Sequence, residues 1–151
     1  MMTFHDHQGC IASAMAKADR LCRERGVRFT PIRKKILELV WSNHQSVKAY
    51  DLLGALQCID KAAKPVTVYR ALDFLLEQGF IHRIESLNAF VGCGQPDLHH
   101  DLLLLICTSC HNVDERLAPG VMQAAQKEIQ GAGFEARQQA FEVRGLCRGC
   151  R

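Results

Sequence analysis

Two cysteine pairs, Cys107-Thr-Ser-Cys110 and Cys147-Arg-Gly-Cys150, are the residues whose type and spacing carry the most chemistry. Each Cys-x-x-Cys turns back on itself and aims two thiolates at one point. Two such knuckles offer the four soft ligands that tetrahedral zinc takes at about 2.3 Å. A redox dithiol competes for either pair alone, but two pairs together predict a closed four-cysteine zinc site. With no open coordination position, that ion is structural. A second, mixed group comprises His82, Cys93, His100 and Glu115, with His99 either replacing His100 or neighbouring a further, weaker site. One thiolate, two imidazoles and a carboxylate suit zinc more than iron or manganese, which favour nitrogen- and oxygen-rich sites.

Those donors need elements to hold them. His82 and Cys93 fall in IHRIE and AFVGC, two short strand-like runs around a polar loop. With Ser86–Ala89 as the loop, Ile84 lies opposite Val91 and His82 opposite Cys93. Facing residues sit about 5 Å apart at Cβ, close enough to share one ion. Just upstream, Lys64–Gln78 reads as a helix: Pro65 suits its first turn, Val68, Leu72, Leu75 and Leu76 recur on one face, and Gly79 ends it. The opposite face carries Thr67, Arg70, Asp73 and Glu77. Tyr69 and Arg70 occupy the first turns, where groove-entering helices touch bases, and an arginine can donate two bonds to a guanine edge. The competing roles are an Arg70 ion pair with Asp73 or Glu77 and, for the tyrosines, half-buried packing.

Earlier in the chain, a helix beginning at Gly9 ends at Gly26. Thr30-Pro31 is a cap followed by a first-turn proline, opening a helix with Ile32, Ile36, Leu39 and Val40 inward and Arg33, Lys34 and Lys35 outward. A third helix, Ala49–Ile59, starts beside Tyr50, which is placed to meet a phosphate or a thymine methyl. Three helices with short links and then a hairpin describe a winged helix whose last helix reads DNA.

Composition sets the outer limits. A chain of 151 residues holds one ordinary domain or two small ones. No apolar run approaches membrane-spanning length and no secretory leader is evident, so a cytoplasmic protein is expected. Eight cysteines in a reducing compartment point to metal rather than disulfides. Cys10, Cys22 and Cys58 have no assigned chemistry and are expected to be small buried hydrophobes. The net charge of +3 is unevenly spread, with 13 Lys/Arg against 9 Asp/Glu over residues 1–93 and 6 against 7 over 94–151. Eight of those basic residues crowd into Lys17–Lys35, among them Arg28, Arg33 and Lys34, a distribution that fits phosphate contact. GCGQPD at 92–97 breaks the pattern and is the expected hinge between a domain at 1–91 and another at 98–151. The second is expected to form strands at 102–106, 113–117 and within 134–146, with a helix at 119–130 placing Val121, Ala125 and Ile129 inward. Fewer than 60 residues make a thin core, which a bound metal and dimerisation would support.

RFTPIRKKIL, AYDLL, KPVTVYRALDFLLEQGFIHRIES and the two cysteine knuckles together resemble the ferric uptake regulator family, and within it the zinc uptake branch. The resemblance runs from about Ala16 to Cys150. It implies an α+β protein: an N-terminal winged-helix DNA-binding domain and a small C-terminal α/β dimerisation domain with a structural four-cysteine zinc site. It further implies a metal-dependent transcription factor, not an enzyme, that binds a double-stranded operator as a homodimer and takes no small-molecule substrate. Carried over by position, Cys107, Cys110, Cys147 and Cys150 hold the structural zinc, while His82, Cys93, His100 and Glu115 hold a regulatory one. Two zinc ions per monomer are therefore expected. Arg70 and Tyr50 correspond to the DNA-contacting pair. The rival readings are an iron- or peroxide-sensing member of the family, a zinc hydrolase, and a DNA-binding module that carries only the structural zinc.

Overall fold

The structure is a computed structural model describing residues 7–42, 44–98, 101–137 and 139–151. The chain divides into two compact units, Met1–Asp97 and Leu98–Arg151.

The first unit comprises α1 (His7–Arg25), α2 (Pro31–Val40), α3 (Ala49–Gln57) and α4 (Pro65–Glu77), then β1 (Ile81–Ile84) and β2 (Ala89–Gly92). Thr30 caps α2 by accepting the Arg33 N–H, with Pro31 at the first position. The apolar stripes of α2, α3 and α4 meet Ala18, Leu21 and Cys22 of α1 in one core. Val68, Leu72 and Leu75 of α4 are buried as expected. Ala71 and Phe74 widen the stripe, and Leu76 is only half-buried at its margin. Gly79 then adopts φ +75, a left-handed conformation that glycine takes without a Cβ penalty. Helix α3 stops at Gln57, so Ile59 lies beyond it and exposed. Cys22 is buried and Cys10 half-buried, but Cys58 is exposed, against the expectation for it, because it follows the last turn of α3.

The hairpin register differs from the expected one by two residues. His82 pairs with Val91 and Ile84 with Ala89, while Cys93 donates its N–H to the Phe80 carbonyl at 2.9 Å. A tight 3-10 turn at Glu85–Leu87, closed by Asn88 at φ 46, begins one residue earlier than the expected loop and so moves the pairing by two. Asn88 is held by Arg83, which donates to its Oδ1 at 3.0 Å. A two-residue slip keeps each side chain on its face, so His82 and Cys93 remain neighbours, diagonally rather than directly opposed. Val47 exchanges two backbone bonds with Phe90, adding a single isolated bridge beside the hairpin that the sequence pattern does not signal. At Gly92 a Cβ would overlap the Trp41 ring, so only glycine lets the sole tryptophan close on the strand before Cys93.

The second unit contains β3 (Leu102–Cys107), β4 (Val113–Arg116), α5 (Pro119–Gly131) and β5 (Ala140–Gly145). Its sheet runs β4-β3-β5, with β3 antiparallel to β4 and parallel to β5. Leu102, Leu104 and Ile106 alternate as the buried side of β3. Helix α5 buries no residue fully: Ala125 and Ile129 are half-buried, but Val121, expected inward, is exposed. A single helix cannot cover the apolar surface of this small unit, and Leu105, Val121, Val143 and Leu146 stay exposed. No helix among the described residues is long and apolar enough to cross a membrane.

Candidate metal centres and nucleic-acid interface

Parallel pairing of β3 with β5 puts Cys107 level with Gly145, so both cysteine knuckles emerge at the same end of the sheet. Thr108 locks the junction, its N–H donating to the Gly145 carbonyl at 2.8 Å. The ligand atoms of Cys107, Cys110, Cys147 and Cys150 all lie within 4.8 Å of one another. An ion 2.3 Å from four tetrahedral sulfurs sets them about 3.8 Å apart, and Cys110 Sγ and Cys147 Sγ are 3.8 Å apart. Backbone N–H groups of Cys110 and Cys147 point at Cys107 Sγ at 3.5 and 3.4 Å. With a contribution from Ser109, they bring the Cys107 thiol down to about 6. The Cys150 thiol is pushed up to about 11, first by the Cys147 sulfur beside it. One thiolate is thus favoured while Cys110 and Cys150 resist ionising, a conflict that a divalent cation resolves. The cluster fits a tetrahedral metal ion in both dimension and donor chemistry.

In the first unit, His82 stands half-buried on β1 and Cys93 is buried just past β2, with a ring nitrogen and Sγ within 4.8 Å. The pair can supply one imidazole and one thiolate to an ion. Glu115 lies half-buried on β4 of the second unit, opposite Leu104. His99 and His100 lie outside the described residues.

The nucleic-acid candidates occupy the first unit. Tyr50, at the start of α3, is 83% exposed and Tyr69 on α4 55% exposed, which removes core packing as their role. Arg70 is exposed and, among the described residues, forms no ion pair with Asp73 or Glu77, so its guanidinium is available. Thr67 is half-buried beside them. A cleft of about 210 Å³ runs between α3, α4 and the hairpin, lined by Lys48, Tyr50, Tyr69, Asp73, Arg83 and Phe90 among others.

The basic cluster behaves differently from the expectation of a solvent-facing row. Arg28 is exposed, but Arg33 stacks its guanidinium 3.7 Å from the Phe74 ring centroid and donates to the Arg28 carbonyl. Lys34 pairs with Asp19 at 2.8 Å and lies 5.4 Å from the Phe29 ring, and Lys35 pairs with Glu38 at 2.9 Å. Tertiary neighbours, chiefly Phe74, Phe29 and Asp19, engage charges that a one-dimensional reading leaves in solvent. Lys17 and Arg25 also bond to backbone carbonyls of the same unit, roles with no signal in sequence spacing.

A model of the ferric uptake regulator family matches residues 24–144. The chain belongs to that family. Within it, the chain is 42% identical to the zinc uptake regulation protein of Escherichia coli K12, over 90% of this chain and 80% of that one. A solved zinc uptake regulator in complex with zinc and DNA superposes with a TM-score of 0.88 at 41% identity, covering 92% of this chain and 93% of that one. The holo form of a second regulator, XcZur, aligns at TM-score 0.83 and 41% identity over 91% of this chain and 96% of that one.

Proposed function

We propose that the protein is a zinc-responsive transcriptional regulator that binds operator DNA as a homodimer and represses zinc-uptake genes when zinc is plentiful. The observation that carries the reading is Cys93 beside His82 on the wing of a winged helix. A thiolate there biases the site toward zinc over the harder ions. Similarity to zinc uptake regulators across nine-tenths of the chain supports the same choice.

The roles divide between two ions per monomer. Cys107, Cys110, Cys147 and Cys150 hold a structural zinc that stabilises the second unit. His82, Cys93, His100 and Glu115 hold the regulatory one, with His99 the alternative to His100. The winged-helix domain is 1–91, the link 92–97 and the dimerisation domain 98–151. Zinc supplies a rigid, redox-inert crosslink when bound. Ligands drawn from both domains make that crosslink favour one pose of the paired reading heads, a coupling typically of about 1–3 kcal/mol. Arg70, Tyr69 and Thr67 of α4 meet the groove, with Tyr50 and Arg28 on the backbone and Arg33 and Lys34 behind them. Action on DNA places the protein in the cytoplasm. A hydrolase needs an open metal position for water, and four protein ligands leave none.

Counting zinc per chain before and after mild chelation, with operator binding measured at each step, tests the reading. The four-cysteine ion should remain, the second ion should leave, and DNA affinity should fall with it. Cys93→Ser should reproduce the chelated state while leaving a folded dimer. Equal operator affinity with and without the second ion would overturn the proposal.

A further inference from the structure

The chain just beyond Cys93 is tied down by α1. Lys17 Nζ donates to the Gly94 carbonyl at 3.2 Å, and Arg20 lies 3.8 Å from Asp97. Arg25 makes the central tie. Its guanidinium donates to the Gln78 carbonyl at 2.6 Å, to Gln78 Oε1 at 3.2 Å and to the Pro96 carbonyl at 3.2 Å. It also lies 5.7 Å from the Phe80 ring centroid. Gln78 is the C-cap of α4, Phe80 carries the carbonyl that accepts the Cys93 N–H, and Pro96 is buried. One planar, permanently charged fork therefore joins the end of the reading helix to both sides of Cys93. A lysine could not reproduce this, having no rigid array of donors.

We propose that Arg25 is a positioning residue for metal sensing: it holds the Cys93 thiol in place and makes α4 and the strand bearing Cys93 move as one piece. The proposal rests on Cys93 being a ligand of the regulatory ion. Residues 94–96 then travel with the first unit, and the pivot between units starts beyond Pro96 instead of at Gly92. Part of the basic surface of α1 acts on the metal site rather than on phosphate.

The test uses the full-length protein with its four-cysteine zinc retained and cobalt(II) as the probe of the second site. Thiolate-to-cobalt charge-transfer absorption reports ligation by Cys93 directly. Arg25→Met keeps the aliphatic stem and removes every donor. It should weaken cobalt binding by about 10-fold, as loss of groups that orient ligands does, and should reduce the charge-transfer band. In cobalt-free protein, alkylation of Cys93 followed by mass spectrometry should accelerate. Arg25→Lys should restore part of each. A folded Arg25→Met protein with unchanged cobalt affinity, band and alkylation rate would overturn the inference. If Arg25→Met does not fold, Arg25→Lys and Lys17→Met are read by the same criterion. Cys93→Ser separates the two ideas: a band that survives in that variant sinks the ligand assignment, whereas a band lost there but intact in Arg25→Met sinks only the positioning role.

Discussion

In the first unit four helices and a hairpin enclose a core in which Ile36, Leu72 and Leu75 are fully buried, whereas in the second, among the described residues, one helix and three strands bury apolar side chains only along β3. The first unit stands on packing and uses its cysteines elsewhere: Cys22 fills the core and Cys93 faces His82. The second gathers four cysteines at one end of its sheet and leaves Leu105, Val143 and Leu146 exposed. Small units reach stability through crosslinks or association when burial falls short. Under the proposed function the contrast gives each half a different dependence: hydrophobic burial in one, metal and pairing with a second copy of the chain in the other.

The strongest way to break that comparison is Cys107→Ser. A structural zinc contributes on the order of 10 kcal/mol to a small domain's folding, so residues 102–151 should lose hydrogen-exchange protection while the first unit keeps its own. Uniform loss over the whole chain would show that the halves are not separately supported. Leu75→Ala attacks the other side. A fully buried leucine truncated to alanine costs about 2–5 kcal/mol, so the urea midpoint of the first unit should drop with zinc content unchanged. Arg70→Ala sharpens the division between fold and function: operator affinity measured by anisotropy should fall by about 1–3 kcal/mol with blurred base preference, and thermal stability should hold. Lys34→Ala should do least. The side chains of its pair with Asp19 are 41% and 46% exposed, so stability should change by about 0.2–1 kcal/mol at most. The salt dependence of DNA binding should flatten less than for Arg28→Ala, because Lys34 is already neutralised within the protein.

Much of the first unit was legible in local pattern. Thr30-Pro31, Pro65 and Gly79 mark helix ends by the backbone geometry those residues allow, and the α4 stripe follows from its period. The hairpin was legible but its register was not, because the turn closed by left-handed Asn88 begins one residue earlier than the expected loop, a displacement that alternation cannot signal. Val47 pairing with Phe90 was invisible for a related reason: a single bridge has no periodicity. For the four cysteines, donor type and spacing led to side chains whose ligand atoms the fold gathers within 4.8 Å of one another, since chemistry restricts which side chains suit zinc.

By itself the sequence determined which candidate donors the chain carries, the caps at Thr30, Pro65 and Gly79, and the family, all of which depend on residue identity and short-range geometry. Only the tertiary structure decided that β3 and β5 run parallel, which brings together Cys107 and Cys147, 40 positions apart in the chain. The same holds for Arg33 on Phe74, Lys34 on Asp19 and Arg25 across Gln78 and Pro96. Long side chains reach partners that chain order does not fix, so their roles are settled by packing in three dimensions.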